Sequence, residues 1–119
     1  MKKIILILIL SNFSFAEDSF LTAYEYGEML YENPRGIGCN KCHGDRGEGK
    51  IIAKYKHKKI EKKLSAPEIN SLNYNLFATS FNKIKKSDIM PKYFLTQKEI
   101  KTLFLYLKEK NLREKIKIN

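Results

Sequence analysis

The sequence predicts a small all-α domain, and three observations support this. Apolar residues recur at helical spacing in three separate stretches, near residues 20–31, 77–84 and 100–107. Cap and stop signals frame those stretches, whereas no segment carries a hairpin signal. A separate leader leaves 103 of the 119 residues, which is enough for one domain with a thin core.

The first sixteen residues have the pattern of a secretory signal peptide. Two lysines precede seven uninterrupted aliphatic residues, and the segment ends in the small residue Ala16. We therefore divide the chain into a signal peptide, 1–16, and one domain, 17–119, and expect a periplasmic protein. The apolar run is shorter than the roughly 20 residues that span a bilayer, so a membrane anchor formed by an uncleaved leader is the minority alternative.

The first helix is expected to begin at a cap formed by Asp18 or Ser19 and to end at Asn33-Pro34. A glycine inside a helix costs roughly 1 kcal/mol relative to alanine, so Gly27 suggests that another group approaches closely there. The apolar face of this helix is predicted to contain Phe20, Tyr24, Gly27 and Tyr31.

The middle of the chain is less regular. Residues 51–64 show no helical stripe, and their partial alternation fits either a short ribbon or an irregular loop. Beyond Pro67, Asn70 or Ser71 is expected to cap a helix with an apolar face of Phe77, Phe81 and Ile84.

The last helix has the clearest start signal. Thr96 and Glu99 have the spacing of a capping box, in which each side chain binds the backbone N–H of the other residue. Its predicted apolar stripe consists of Ile100, Leu103, Phe104 and Leu107.

The most specific motif is Cys39-Asn40-Lys41-Cys42-His43, which contains the only two cysteines of the chain. This pattern is typical of a c-type haem attachment site. On a helical turn, Cys42 and His43 lie on the same face as Cys39. Each thiol can add to a haem vinyl group, while the imidazole of His43 ligates the iron.

Two other interpretations of the motif remain open from the residues alone. A redox-active Cys-x-x-Cys pair normally opens a helix of a βαβ unit, and the sequence shows no such pattern. A zinc site could recruit both cysteines, His43 and the distant His57, although adjacent ligands suit a tetrahedral metal poorly.

The sixth position of the iron decides between an electron carrier and a ligand binder. Met90 is the best candidate for it, because it stands in a loop before Pro91 and between two predicted helices. His57, Met29 and a vacant position are the alternatives.

With these residues, the chain resembles the class I c-type cytochromes, particularly the small bacterial monohaem group related to the haem domains of cbb3-type oxidases. The resemblance covers essentially the whole mature chain and rests on Gly27 with Tyr31, Cys39 to Gly44, Met90-Pro91, Leu95-Thr96, Glu99-Ile100 and Tyr106-Leu107.

The resemblance implies a cytochrome c-like domain wrapped around one covalent haem c. Its first and last helices should cross at Gly27, with Phe104 or Tyr106 of the last helix close by. Members of the family also place a proline soon after the haem turn, and its carbonyl orients the ligating imidazole. In this chain no proline stands between His43 and Pro67, so the lysine-rich stretch is interpreted as an insertion. Whether Pro67 has this role stays open.

Function follows from these assignments. We expect a non-enzymatic carrier of single electrons, with haem held by Cys39, Cys42, His43 and Met90 and iron ligated by His43 and Met90. A haem-based sensor of small ligands and a haem subunit of a larger respiratory complex are the alternatives.

Charge points to the partners. The formal net charge is +10, or +8 without the two lysines of the leader, and six lysines fall between Lys54 and Lys63. Such a patch is either a solvated loop or a docking site for an acidic redox protein, such as a membrane oxidase or reductase, or for an anionic membrane surface. Nucleic acid is not an expected partner of an exported protein.

Overall fold

The computed structural model describes residues 20–85 and 89–119. Its elements are α1 (Ala23–Glu32), α2 (Cys39–His43), β1 (Lys50–His57), β2 (Ile60–Ala66), α3 (Tyr74–Lys83) and α4 (Gln97–Ile118). The signal peptide predicted for residues 1–16 lies outside the described residues.

The core forms where α1 and α3 pack against α4, the longest helix. Its buried members come from these three helices because each has an apolar stripe that needs a partner. They are Leu30, Tyr31, Phe77, Ile100, Leu103, Tyr106 and Leu107. Helices thus build the whole buried cluster, and the predicted all-α class is confirmed for the part of the chain that packs.

Helix α1 begins later than predicted. Thr22 is its N-cap and forms a capping box with Glu25, so a cap at Asp18 or Ser19, which lie outside the described residues, is wrong. Phe20 therefore precedes the helix and is 99% exposed. Tyr31 is buried as expected, Tyr24 is half-buried, and the C-cap falls at Asn33 before Pro34, as predicted.

Helix α4 starts as the sequence predicts, at N-cap Thr96 with Glu99 completing the capping box. Of its predicted stripe, Ile100, Leu103 and Leu107 are buried, and Phe104 is partly buried against them. Helix α3 starts at N-cap Asn73 rather than Asn70 or Ser71, because the side chain of Asn73 accepts the N–H of Leu76.

Residues 50–66 form an antiparallel β-hairpin, which we call the hairpin arm. The absence of a hairpin signal in the sequence was misleading, since the turn residues Lys58 and Lys59 are not the glycine or asparagine that such turns favour. Both have positive φ, 50° and 65°, the combination that characterises a type I′ turn between His57 and Ile60. A bulge between Ile51 and Ala53 further disturbs the alternation that would have revealed β1.

The crossing of α1 and α4 depends on Gly27. A Cβ atom at this position would lie 2.5 Å from Cβ of Tyr106 and 3.2 Å from the carbonyl oxygen of Thr102. The expectation of a close approach is therefore confirmed, and the aromatic residue is Tyr106. Its ring lies 5.1 Å from that of Tyr24 and 5.7 Å from that of Tyr31, centroid to centroid.

Within residues 20–85 and 89–119, no helix combines the length and the apolar content needed to cross a bilayer.

Substituting Gly27→Ala should lower the free energy of unfolding by about 1–3 kcal/mol, because the added methyl group overpacks the α1–α4 crossing. This is the net change, because the clash of the added Cβ with Tyr106 should exceed the gain of roughly 1 kcal/mol in helix propensity. Denaturant titration measures it, with Lys101→Ala on the exposed surface of α4 as a control expected to change by less than about 0.5 kcal/mol. A Gly27→Ala variant as stable as the parent would contradict the close crossing.

Candidate functional site

Helix α2 presents both cysteines and His43 together. It is a single turn of five residues, Cys39–His43, with Gly38 as N-cap and Gly44, at φ 84°, as C-cap. Residues three and four apart share a face of such a turn. His43 is buried, and the two cysteines are partly buried.

The imidazole of His43 has a fixed orientation. Its Nδ1 lies 2.9 Å from the carbonyl oxygen of Pro67. A carbonyl can only accept, so Nδ1–H donates and Nε2 keeps the lone pair that a metal would use. Pro67 therefore occupies the position that the sequence had left open, with the hairpin arm inserted between the two residues.

Hydrogen bonds from several parts of the chain hold the backbone around α2. The buried hydroxyl of Tyr31 donates to the carbonyl oxygen of Gly44 at 2.7 Å, and burial raises the pKa of Tyr31, which keeps it a donor. Gly49 N–H donates to the carbonyl oxygen of His43 at 2.8 Å. On the other side, the hydroxyl of Tyr93 donates to the carbonyl oxygen of Ile37 at 2.6 Å.

A largely apolar cavity of about 360 Å³ lies against this turn. Its walls come from α2, from the base of the hairpin arm, from the end of α3 and from the segment before α4. The lining residues are Gly38, Cys39, Cys42, His43, Ile52, Leu64, Ser65, Ala66, Pro67, Ser80, Lys83, Ile84, Ile89, Met90, Pro91 and Tyr93.

The four residues predicted to hold the cofactor meet in this cavity. Met90, 47 positions after His43 in the sequence, lines it together with Cys39, Cys42 and His43. The rival ligands lie elsewhere: Met29 is 53% exposed on α1, and His57 is exposed at the tip of the hairpin arm. Two thiols, an imidazole with a free Nε2 and a thioether around one apolar space are the groups that a c-type haem requires.

The segment that carries Met90 is tied to α1 and α4 through Arg35. The guanidinium of Arg35 binds both carboxylate oxygens of Glu99, at 2.9 and 3.0 Å, and donates to the carbonyl oxygen of Phe94 at 2.7 Å. The hydroxyl of Tyr26 adds a hydrogen bond to Glu99 at 3.0 Å. Arg35 itself has a left-handed backbone, φ 62°, which directs the chain into this contact.

Glu99 is the charged centre of that network. The hydrogen bond from Arg35, followed by that from the backbone of Thr96, lowers the pKa of Glu99 to about 2. One carboxylate therefore completes the capping box of α4 and anchors the loop that follows α1.

The alternative interpretations of the cysteine motif fit the structure poorly. Burial raises the pKa of the Cys39 thiol to about 11, whereas a redox-active Cys-x-x-Cys pair needs a thiol with a lowered pKa. Helix α2 follows α1 and a loop rather than a strand. Across residues 20–85 and 89–119, no group of three or more histidine, cysteine, aspartate or glutamate side chains could hold a metal ion, so the four-ligand zinc site with His57 is not assembled.

Several residues that line the cavity could not be predicted from the sequence. Tyr93 was one of seven tyrosines, and only its distance of three positions from Met90 could have singled it out. Ser65, Ser80 and Lys83 supply polar groups at an otherwise apolar wall. They follow no motif, because the hairpin arm and α3 bring them to the cavity only through tertiary packing.

The fold and the cavity define a small helical domain built to enclose a flat apolar cofactor against a Cys-x-x-Cys-His turn. The family model described as "Cytochrome c" matches residues 24–110, so the chain belongs to the cytochrome c family. Membership implies that its cofactor is haem c. No curated protein and no solved structure matches the chain.

The variant Glu99→Gln should lower the free energy of unfolding by about 1–3 kcal/mol at neutral pH, because it removes a charge-assisted hydrogen-bond acceptor. The Glu99 carboxylate contributes to the free energy of unfolding at pH values above its ordinary pKa of 4.5. This contribution is lost as the pH falls toward about 2. The parent protein should therefore lose more stability than the variant across that window, as thermal unfolding at a series of pH values would show.

Glu114→Gln is the matched control for this experiment. Glu114 pairs with Lys117 on the exposed surface of α4, at 3.5 Å, and such pairs contribute less than about 1 kcal/mol. Equal losses in the two variants would contradict the anchoring role of Glu99.

Proposed function

We propose that this protein is an exported electron carrier that binds one covalent haem c between His43 and Met90. The observation that carries the proposal is the convergence of Cys39, Cys42, His43 and Met90 on one apolar cavity. The cytochrome c family match supports haem-based electron transfer as the general function.

Each of these residues has a distinct role in the proposal. Haem c supplies a one-electron iron couple when bound. Cys39 and Cys42 would form the two thioether links from one face of α2. His43 would ligate through Nε2, and the carbonyl of Pro67 strengthens its basicity by accepting the Nδ1 proton in a hydrogen bond.

Met90 would set the redox potential. A thioether is a soft ligand that favours reduced iron and so raises the potential relative to a second imidazole. The chain just after Met90 is tied to the loop before α2, because Tyr93 donates to the carbonyl oxygen of Ile37 and Arg35 donates to that of Phe94. The apolar walls exclude water, which further favours the less charged form of the cofactor.

Such a protein changes no covalent bonds in its partners. Its work is to exchange electrons with redox proteins such as a membrane oxidase or reductase. We place it in the periplasm, because the leader of residues 1–16 has the features of a signal peptide and haem attachment to a Cys-x-x-Cys-His motif suits an exported chain. The resemblance to the group related to cbb3-type oxidases supports a respiratory role.

The central test is an absorption spectrum of protein produced together with a haem-maturation system. The parent should show a c-type band in the reduced state, together with a charge-transfer signature of methionine ligation in the oxidised state. Met90→Ala should lose that signature and shift to a lower potential, whereas Met29→Ala, which removes the exposed methionine of α1, should leave both unchanged.

Two further results would decide against the proposal. A parent without a c-type band would contradict haem attachment altogether. A reduced parent that binds carbon monoxide as readily as Met90→Ala would show an open sixth position and favour the ligand-binding alternative.

A further inference from the structure

The hairpin arm has two chemically different faces. Directly paired residues of an antiparallel ribbon share a face, so the register assigns every side chain beyond the bulge. The cavity-side face carries Ala53, Tyr55, His57, Ile60, Lys62 and Leu64. The opposite face, which we call the lysine face, carries Lys54, Lys56, Glu61 and Lys63.

The cavity-side face carries apolar side chains well beyond the site, together with His57 and Lys62. Leu64 at its base lines the cavity, but Tyr55 and Ile60 near the tip are 50% and 63% exposed. The domain core does not use these side chains, since the buried cluster is built by α1, α3 and α4. Tyr55 and Ile60 are therefore apolar side chains near the tip of the arm that are available for contact with a partner.

The lysine face repels itself. Lys54 and Lys63 are directly opposite each other across the strands, an arrangement that destabilises a sheet. Lys58 and Lys59 add two more charges at the turn. The whole arm contains seven lysines against the single acidic residue Glu61, and no carboxylate in the described part of the chain forms an ion pair with any of them. Lys56 stands opposite Glu61 on the same face, so part of the repulsion is offset within the arm, and an external anionic partner would offset the excess that remains.

Composition distinguishes between possible partners. Apart from His57, all the basic side chains of the arm are lysine, and none is arginine. Protein interfaces are depleted in lysine and enriched in arginine, whereas attraction to an anionic lipid surface depends on the number of charges. A second copy of the arm would carry the same excess of positive charge and be repelled.

We propose that the hairpin arm binds the surface of an anionic bilayer, with Tyr55 and Ile60 inserted among the headgroups and the lysines attracted to their phosphates. An apolar face opposed by a lysine face is the arrangement that amphipathic segments use at such interfaces. The proposal rests on the proposed function of an exported electron carrier. It adds that the wall of the haem cavity formed by the arm faces the membrane, where membrane-bound redox partners reside.

The test uses the haem-loaded protein and sedimentation with vesicles of phosphatidylcholine, with or without phosphatidylglycerol. The parent should sediment with the anionic vesicles only and should be released by about 0.5 M salt, which shortens the range of the attraction. Lys54→Gln with Lys63→Gln should weaken binding about 10- to 30-fold at low salt.

Two further double variants separate the arm from the overall charge. Tyr55→Ser with Ile60→Ser leaves the charge unchanged and should still weaken binding about 10-fold. Lys98→Gln with Lys101→Gln removes the same charge from the exposed start of α4 and should weaken binding less than about 3-fold. An equal loss in this control pair would overturn the proposal, because binding would then reflect net charge alone.

Other outcomes overturn it more directly. Absence of sedimentation with anionic vesicles would do so, as would arm-dependent binding to immobilised polyglutamate without vesicle binding, which would favour an acidic protein as partner. The c-type spectrum, measured without vesicles on every variant, tests the proposed function separately. An intact spectrum with no vesicle binding refutes the membrane contact and leaves the electron carrier standing.

Discussion

The hydrogen bond from Nδ1 of His43 to the carbonyl oxygen of Pro67 is the contact on which the site depends. It joins residues 24 positions apart, at 2.9 Å, and so requires the chain to return to α2 after the hairpin arm. The return is secured on both sides, because Lys50 pairs with Ala66 at the base of the arm and the N–H groups of Ile69 and Asn70 bind the carbonyl oxygen of Gly47. A ribbon whose ends meet can extend from the domain without moving the two points that must stay together.

That constraint explains how an exposed ribbon can coexist with a small core. The arm contributes Ile52, Leu64 and Ala66 to the cavity wall, while the buried cluster needs only α1, α3 and α4. The outer part of the ribbon is therefore free to carry side chains chosen for a partner rather than for stability. Its opposed lysines and its exposed Tyr55 are consistent with that freedom.

How far the sequence predicts this structure varies with the range of the interactions involved. Local rules were sufficient for α4, where Thr96 and Glu99 mark the start, and for the turn at Cys39–His43. Gly27 was informative because an unfavourable residue in a helix implies a reason for it, and Tyr106 is that reason. The hairpin arm was missed because two lysines adopt left-handed backbone conformations that their type does not favour. Arg35 and Tyr93 could not be found either, since their importance comes from partners 64 and 56 positions away.

The packing of α1 against α4 also bears on the order of events in folding. Tyr31, near the end of the first helix, is buried with Tyr106 and Leu107 of the last helix. The two parts of the core are therefore separated in sequence by most of the chain. A chain that emerges from a membrane channel starting at its N-terminus would present Cys39 and Cys42 long before α4 could cover Tyr31. The two thiols would thus be accessible in a chain that has not yet formed its core, and closure of the domain would come after that interval. Because the core needs side chains of both α1 and α4, it cannot close before the last helix is available, and that interval leaves the two thiols open to covalent chemistry.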